Sequence, residues 1–480
     1  MGDDAGRDAL PVTLHTTVEA FLALLLIVFV VAIIAQRWRL PYSIALVAVG
    51  FLGLQPGYLH VALTPDLILL VFLPVLLFEG AYNVPAKRLW QNVLPITLLA
   101  VPGVLLSALV TGAIIHLALA LPWDIAFLFG ALISSTDPIA VVSLFRKLGA
   151  PRRLTLLVEG ESLFNDGAAI TIFQIVLAAV MTGAFGLAGG VGRFLLTVAG
   201  ALAIGVVVGY GGSRLLRAVD SAQIQITATV VAAYGAYLLA EYFTFSGAIA
   251  VVVTALFFGN YGSVRGLRPR SVHAISGTWE FLGFVANSLV FLLIGISLDP
   301  LQVVRNWWVI TIAFLATLGG RAVVVFLVAP LLRGAHAIPG RYLPVLVWGG
   351  LRGAVSLALA LSIPFALPDG KPFPNRDLLQ IIAFGVVGAS LLLQGLTMAP
   401  LVQRLGLKSS PTEQGSEEEA DLLRARIAGV EGALVALSLE HERGEIGVLQ
   451  FERLTSAYQQ EQAQLEQQLA PLQEAVHEPD

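Results

Sequence analysis

The sequence predicts an all-α polytopic membrane protein of about thirteen transmembrane helices followed by a cytoplasmic helical tail. Three observations carry that expectation. The 480 residues are 57% hydrophobic and 12% charged, with a mean hydropathy of +0.83, about half the charged fraction usual in soluble domains. Apolar runs of spanning length recur throughout, and the basic residues gather in alternate loops between them. A water-soluble enzyme is therefore excluded for most of the chain.

The runs lie near residues 17–35, 41–54, 65–83, 92–119, 122–145, 154–182, 192–213, 224–240, 247–261, 276–298, 307–330, 343–363 and 379–403. The first is a retained helix and not a signal peptide, because Asp3, Asp4 and Asp8 outweigh Arg7 ahead of it and its bases, Arg37 and Arg39, follow it. With the N-terminus outside, fifteen Lys and Arg, among them Lys87, Arg146, Lys147, Arg265 and Arg333, fall in cytoplasmic loops. Only Arg7, Arg193, Arg305, Lys371 and Arg376 fall outside, which sets the orientation by the positive-inside rule. An odd number of spans then leaves the tail in the cytoplasm.

Domain boundaries follow: an external segment 1–16, a membrane domain 17–405, a linker 406–416 and an acidic helical hairpin 417–480. From Lys408 onward there are 5 Lys and Arg against 15 Asp and Glu, a net of −10, while the rest of the chain carries a net of +6. In the tail, Leu423, Ile427, Val430, Leu434 and Leu437 are spaced 4, 3, 4, 3, and Phe451, Leu454, Tyr458, Leu465, Leu469 and Leu472 continue the stripe past Gly444 and Gly447. That pattern predicts two helices of coiled-coil type. With no Cys, disulfides and cysteine metal sites are excluded.

Trp38, Trp90, Trp123, Trp279, Trp307 and Trp308 fall near span ends, as interfacial anchors do. Gly200, Gly205, Gly209, Gly211 and Gly212 allow close helix approach. His116 reads as a packed or interfacial residue, and no His spacing suggests a transition metal.

Ionisable residues inside spans are functional candidates, since each costs roughly 2.5 to 3.5 kcal/mol at a helix centre. Here they are Glu79, Asp137, Glu161, Asp166, Arg321 and Arg352. Asp137 precedes Pro138 in Ser134-Ser135-Thr136-Asp137-Pro138. Proline lacks an N–H and clashes with the carbonyl four residues back, so the helix should open there and free carbonyl oxygens beside hydroxyls and a carboxylate. The alternative is a proline kink with a capping aspartate.

In Glu161-Ser162-Leu163-Phe164-Asn165-Asp166, Ser162 shares a helix face with Asp166, and Glu161 shares another with Asn165. Arg352 lies among Gly349, Gly350 and Gly353, which suggests a second interrupted helix whose charge balances a buried carboxylate, with Glu161 the expected partner. Arg321 either balances Glu79 or stabilises an interface. One broken helix early and one late point to inverted repeats with a binding site at the midplane.

Thr136-Asp137-Pro138, Glu161 to Asp166 and Gly350-Leu351-Arg352-Gly353-Ala354-Val355-Ser356, in this order, resemble the monovalent cation/proton antiporter family 1, the NhaP-like and sodium/hydrogen exchanger group. Leu77-Phe78-Glu79-Gly80 and Asn287 to Gly295 are similar too, and the resemblance covers about residues 17 to 405. It implies a thirteen-helix fold, a homodimer, and a six-helix transporting part whose fifth and twelfth helices cross while unwound. It also implies a cation held by Asp166, Ser162 and the Thr136 carbonyl. Asp137 and Glu79 would stand behind these ligands or act through water, and Glu161 with Arg352 would be a structural ion pair. Asn165 stands where electrogenic relatives have a second Asp, which favours electroneutral exchange of one cation for one proton.

A buried carboxylate favours its neutral form and a cation favours the charged one, so the two compete for one group. The expectation is sodium or lithium exchange for protons in the plasma (inner) membrane, with no cofactor. A potassium/proton antiporter remains an alternative, as do a gated cation channel and an ion sensor acting through the tail. No P-loop, catalytic triad or basic aromatic patch supports ATP, enzymatic chemistry or nucleic acid.

Overall fold

In the computed structural model, the described residues are 14–38, 42–53, 64–183, 186–219, 221–262, 269–407, short stretches between 423 and 441, and 446–475. Residues 1–13 of the segment expected outside the membrane, Arg39, Arg265, Arg268 and most of the expected linker lie outside them. The chain divides into two compact units, residues 1–146 with 152–405 and residues 147–151 with 406–480.

The first unit opens with α1 (Leu14–Arg37) and α2 (Tyr42–Gly53). A π-helical turn (Leu67–Phe72) runs into α3 (Leu73–Tyr82), followed by α4 (Ala86–Gln91), α5 (Val93–Ala100) and α6 (Pro102–Leu119). Proline at the first position of α6 suits a place where the N–H has no helical partner, and Ala120, at φ 54°, closes it. Next come α7 (Trp123–Ile133), α8 (Ile139–Leu148) and α9 (Arg152–Thr182).

Beyond them stand α10 (Leu187–Leu216), α11 (Ala222–Tyr242), and α12 (Gly247–Phe257) with a second π turn (Phe258–Gly262). Then follow α13 (Pro269–Ser297), α14 (Pro300–Arg305), capped by the Asp299 carboxylate on the Leu301 N–H at 2.8 Å, and α15 (Trp307–Val328). The last elements are α16 (Leu343–Trp348), α17 (Ala354–Leu361), α18 (Arg376–Ala389), a third π turn (Ser390–Gln394) and α19 (Gly395–Arg404).

Among the described residues, eight helical stretches are long and apolar enough to cross a membrane, and four shorter ones are apolar. Among the described residues there is no strand, only the isolated bridge Ala366 to Pro372.

Small residues set the closest packing. A Cβ on Gly130 of α7 would run into the Ala108 carbonyl of α6, and one on Gly112 would lie 3.0 Å from the Ala126 carbonyl, so this hairpin closes backbone to backbone. Gly200, Gly205, Gly209 and Gly212 of α10 face Phe245, Val253, Phe257 and Phe258, while Gly211 faces open space.

The tryptophans divide. Trp38, Trp90, Trp123, Trp307 and Trp308 are exposed. Trp279, expected as an anchor, is instead fully buried, with its ring on Phe78 at 4.1 Å and its Nε1–H donated to Thr229 Oγ1 at 2.9 Å. Its indole packs as core because the one polar atom has a partner. His116 stacks on Trp123 at 4.0 Å.

In the second unit α20 (Val448–Ala475) carries Tyr458, Leu465 and Leu469, which pack with Leu423, Ile427, Val430 and Leu434. Arg426 and Glu461 pair beside them at 3.7 Å.

Candidate functional site

Two helices of the first unit are interrupted, and the interruptions meet. Residues 134–138 separate α7 from α8, and residues 349–353 separate α16 from α17. Pro138 cannot donate to Ser134, and the Ser134 hydroxyl turns back to the Ala131 carbonyl at 2.7 Å. The Asp137 N–H donates to the Leu351 carbonyl of the other break at 2.8 Å. Gly353 permits the approach, since a Cβ there would lie 2.6 Å from Asp137 Oδ2.

α9 lays its polar face against the first break. Ser135 Oγ donates to Asp166 Oδ1 at 2.5 Å, Ser162 Oγ donates to the Thr136 carbonyl, and Asn165 Nδ2 donates to Thr136 Oγ1 at 2.5 Å. Ser162, Asn165, Ser135 and Thr136 are buried, whereas Asp166 and Asp137 are partly so. The structure thus brings Asp166, Ser162 and Thr136 together, with Ser135 as a further hydroxyl. That hydroxyl stood in the sequence motif, but nothing in the motif said it would face Asp166.

Asp137 sits differently. Its Oδ1 accepts the Ile139 N–H at 3.0 Å, capping α8, so the capping role weighed from sequence coexists with its place at the crossing. Glu79 stands apart on α3. Gly283 of α13 leaves room for its Cγ, and among the described residues no hydrogen bond joins its carboxylate to the Asp166 cluster. The charges of Arg146, Glu159 and Glu280 act on it.

The expected pairing of Glu161 with Arg352 is corrected. Arg321 of α15 takes Glu161, Nη1 on Oε1 and Nη2 on Oε2 at 2.7 Å, and its Nε donates to the Leu346 carbonyl at 3.0 Å. A planar guanidinium satisfies both carboxylate oxygens at once, which fixes the pair. Arg352 instead donates through Nη1 to the Ser134 and Ser135 carbonyls at 2.7 and 3.0 Å. Those are carbonyls released at the C-terminal end of α7, where a cation also meets the negative end of the helix dipole.

Among the described residues no three His, Cys, Asp or Glu side chains converge as metal ligands. The crossing offers a different donor set: one carboxylate, two serine hydroxyls and a released carbonyl, all hard oxygens. Such a set suits a hard cation or a proton.

The family model described as "Sodium/hydrogen exchanger, transmembrane" matches residues 24–404. Over 97% of its length the chain is 35% identical to the Na(+)/H(+) antiporter NhaG of Bacillus atrophaeus, covering 89% of that protein. Over 91% of its length it is 38% identical to the Na(+)/H(+) antiporter ApNhaP of Aphanothece halophytica, covering 82% of it. In fold it is similar to the sodium proton antiporter MjNhaP1 of Methanocaldococcus jannaschii, at a TM-score of 0.67 and 20% identity, over 82% of this chain and 98% of that one.

Proposed function

The chain belongs to the transmembrane sodium/hydrogen exchanger family, and from that premise we propose that it is a secondary antiporter exchanging sodium or lithium for protons. It is a transporter and not an enzyme. The observation that carries the reading is the freedom of Asp166: Arg321 is committed to Glu161 and Arg352 to two carbonyls, while Asp166 bonds only a serine hydroxyl among the described residues.

In this reading the cation binds the Asp166 carboxylate with Ser162 and the Thr136 carbonyl, and a proton binds the same carboxylate. Each ligand excludes the other, and an unneutralised charge is held back by the cost of moving it through an apolar barrier. The meeting of the two breaks supports a site about which two groups of helices rock, and that rocking gives alternating access. Asn165 is neutral and bonded to Thr136, which supports exchange on one carboxylate, one cation for one proton. Asp137, at the crossing, and Glu79, set apart on α3 with no direct bond to the cluster among the described residues, act on the ion only through intervening water.

The same proposal places the protein in the plasma membrane with thirteen crossings, the N-terminus outside, the tail inside, and two copies in a homodimer. Reconstitution in liposomes tests the exchange. An imposed sodium gradient should drive proton movement reported by a trapped pH dye, and Asp166→Asn should abolish it. Full exchange by Asp166→Asn, or none by the wild type, would end the proposal.

A further inference from the structure

The third π turn lies directly against the second break. Ser390 and Gln394, at its two ends, are both buried, and each meets one backbone group that the interrupted helix leaves without a helical partner. The Arg352 N–H donates to Ser390 Oγ at 3.0 Å, and Gln394 Nε2 donates to the Trp348 carbonyl at 2.9 Å. The two side chains also hold each other, Ser390 Oγ donating to Gln394 Oε1 at 2.5 Å. A single polar pair thus spans the break from its last helical residue to its arginine.

What the pair holds is connected to the ion site by bonds. The backbone of Arg352 is fixed by Ser390, and the guanidinium of the same residue fixes the Ser134 and Ser135 carbonyls. Ser135 in turn donates its hydroxyl to Asp166. A second link runs from Leu351 to the Asp137 N–H. Beside the pair lies a cavity of about 10 Å³ lined by Thr317, Arg321, Gly350, Arg352, Ser390 and Gln394, about the room that one water needs. π turns are uncommon in helices and recur at functional sites.

We infer that Ser390 and Gln394 are positioning residues for ion exchange. They hold the second break in register so that Arg352 and Ser135 keep Asp166 at its cation-binding geometry. The inference rests on the exchange reading above and adds two residues from the π turn between α18 and α19, neither of which touches the ion.

The test is sodium-driven exchange by the full chain in liposomes, measured as KM for sodium and as the pH profile. Gln394→Leu keeps the volume and removes both bonds. Ser390→Ala removes the hydroxyl, and Ser390→Thr keeps it. An unsatisfied buried amide or carbonyl loosens the break, so KM should rise roughly 3- to 10-fold in Gln394→Leu and Ser390→Ala. kcat should fall by a smaller factor, the pH profile should move, and Ser390→Thr should lie near the wild type.

Hydrogen exchange of the purified protein should quicken in residues 348–353 for the two loss variants. If either fails to fold, the other carries the test. Wild-type exchange accompanied by unchanged KM and pH profile in the folded variants overturns the inference alone. Absence of exchange by the wild type overturns the exchange reading, and this inference with it.

Discussion

Arg321 and Glu161 form a fork-to-fork ion pair across 160 residues of sequence, with the side chains 8% and 2% exposed. Removing one partner leaves the other charge buried and uncompensated, a change worth about 3 to 5 kcal/mol, whereas removing both leaves no such charge. Arg321→Met should therefore lower the thermal unfolding temperature of the detergent-purified protein sharply. Arg321→Met with Glu161→Gln should recover part of the loss. A single variant as stable as the wild type would show that the pair does not hold the helices together.

Among the described residues Arg352 forms no ion pair, and its Nη1 bridges two carbonyls at the end of α7. Arg352→Gln removes the charge and the bridge, and Arg352→Lys keeps the charge but presents a point donor in place of a planar fork. The rate of sodium-driven proton movement should drop roughly tenfold or more in Arg352→Gln, about what one lost charge-assisted bond is worth. Arg352→Lys should fall between the two. A Gln variant at the wild-type rate would show that α7 needs no cap from across the crossing.

How much of this was legible in the sequence follows from what each feature needs. The breaks could be read because Pro138 lacks an N–H and Gly349, Gly350 and Gly353 weaken a helix, both local properties. The cluster of Ser162 and Asp166 could be read because four residues make nearly one helical turn. Pairings between distant helices could not: Glu161 had two arginines available, and spacing along the chain says nothing about which of them α15 or the second break brings near. Ser390 and Gln394 stand in the sequence as two polar residues of an apolar run, and a π turn has no period along the chain that would mark them. Trp279 misled because position near a span end resembles anchoring, while the Thr229 hydroxyl that allows its burial lies 50 residues away.

Outside the spans, Lys371 holds the exposed Asp369 carboxyl below its ordinary range, first through a side-chain bond and then through its backbone N–H at 3.2 Å; the ammonium lies 2.8 Å from Oδ2. A carboxyl lowered in the folded state contributes above its unfolded value of 3.8 and loses that contribution only as pH falls through the lowered value. The pair is therefore constant across neutral pH. Lys371→Ala should leave the pH profile of exchange between about pH 6 and 9, far above any exposed carboxylate's titration, superimposable on the wild type. A displaced profile would mean that this loop senses pH by some other contact.

Glycine at 353 is required by space and not by dihedral angle, because its φ of −139° is open to any residue. A Cβ there would lie 2.5 Å from Asp137 Cβ and 2.6 Å from Oδ2, inside van der Waals contact, so Gly353→Ala must push the two breaks apart. The Asp137 to Leu351 bond joins the same two segments, so the displacement falls on the crossing itself. Exchange should fall roughly tenfold or more, at a stability loss of about 1 to 3 kcal/mol for overpacking. Gly211→Ala is the matched control, since a Cβ there meets nothing within 4 Å and alanine favours a helix by about 1 kcal/mol over glycine. It should exchange at the wild-type rate and unfold at the same or a higher temperature. Equal behaviour of the two variants in the liposome assay would show that the close approach of Gly353 to Asp137 is irrelevant to exchange.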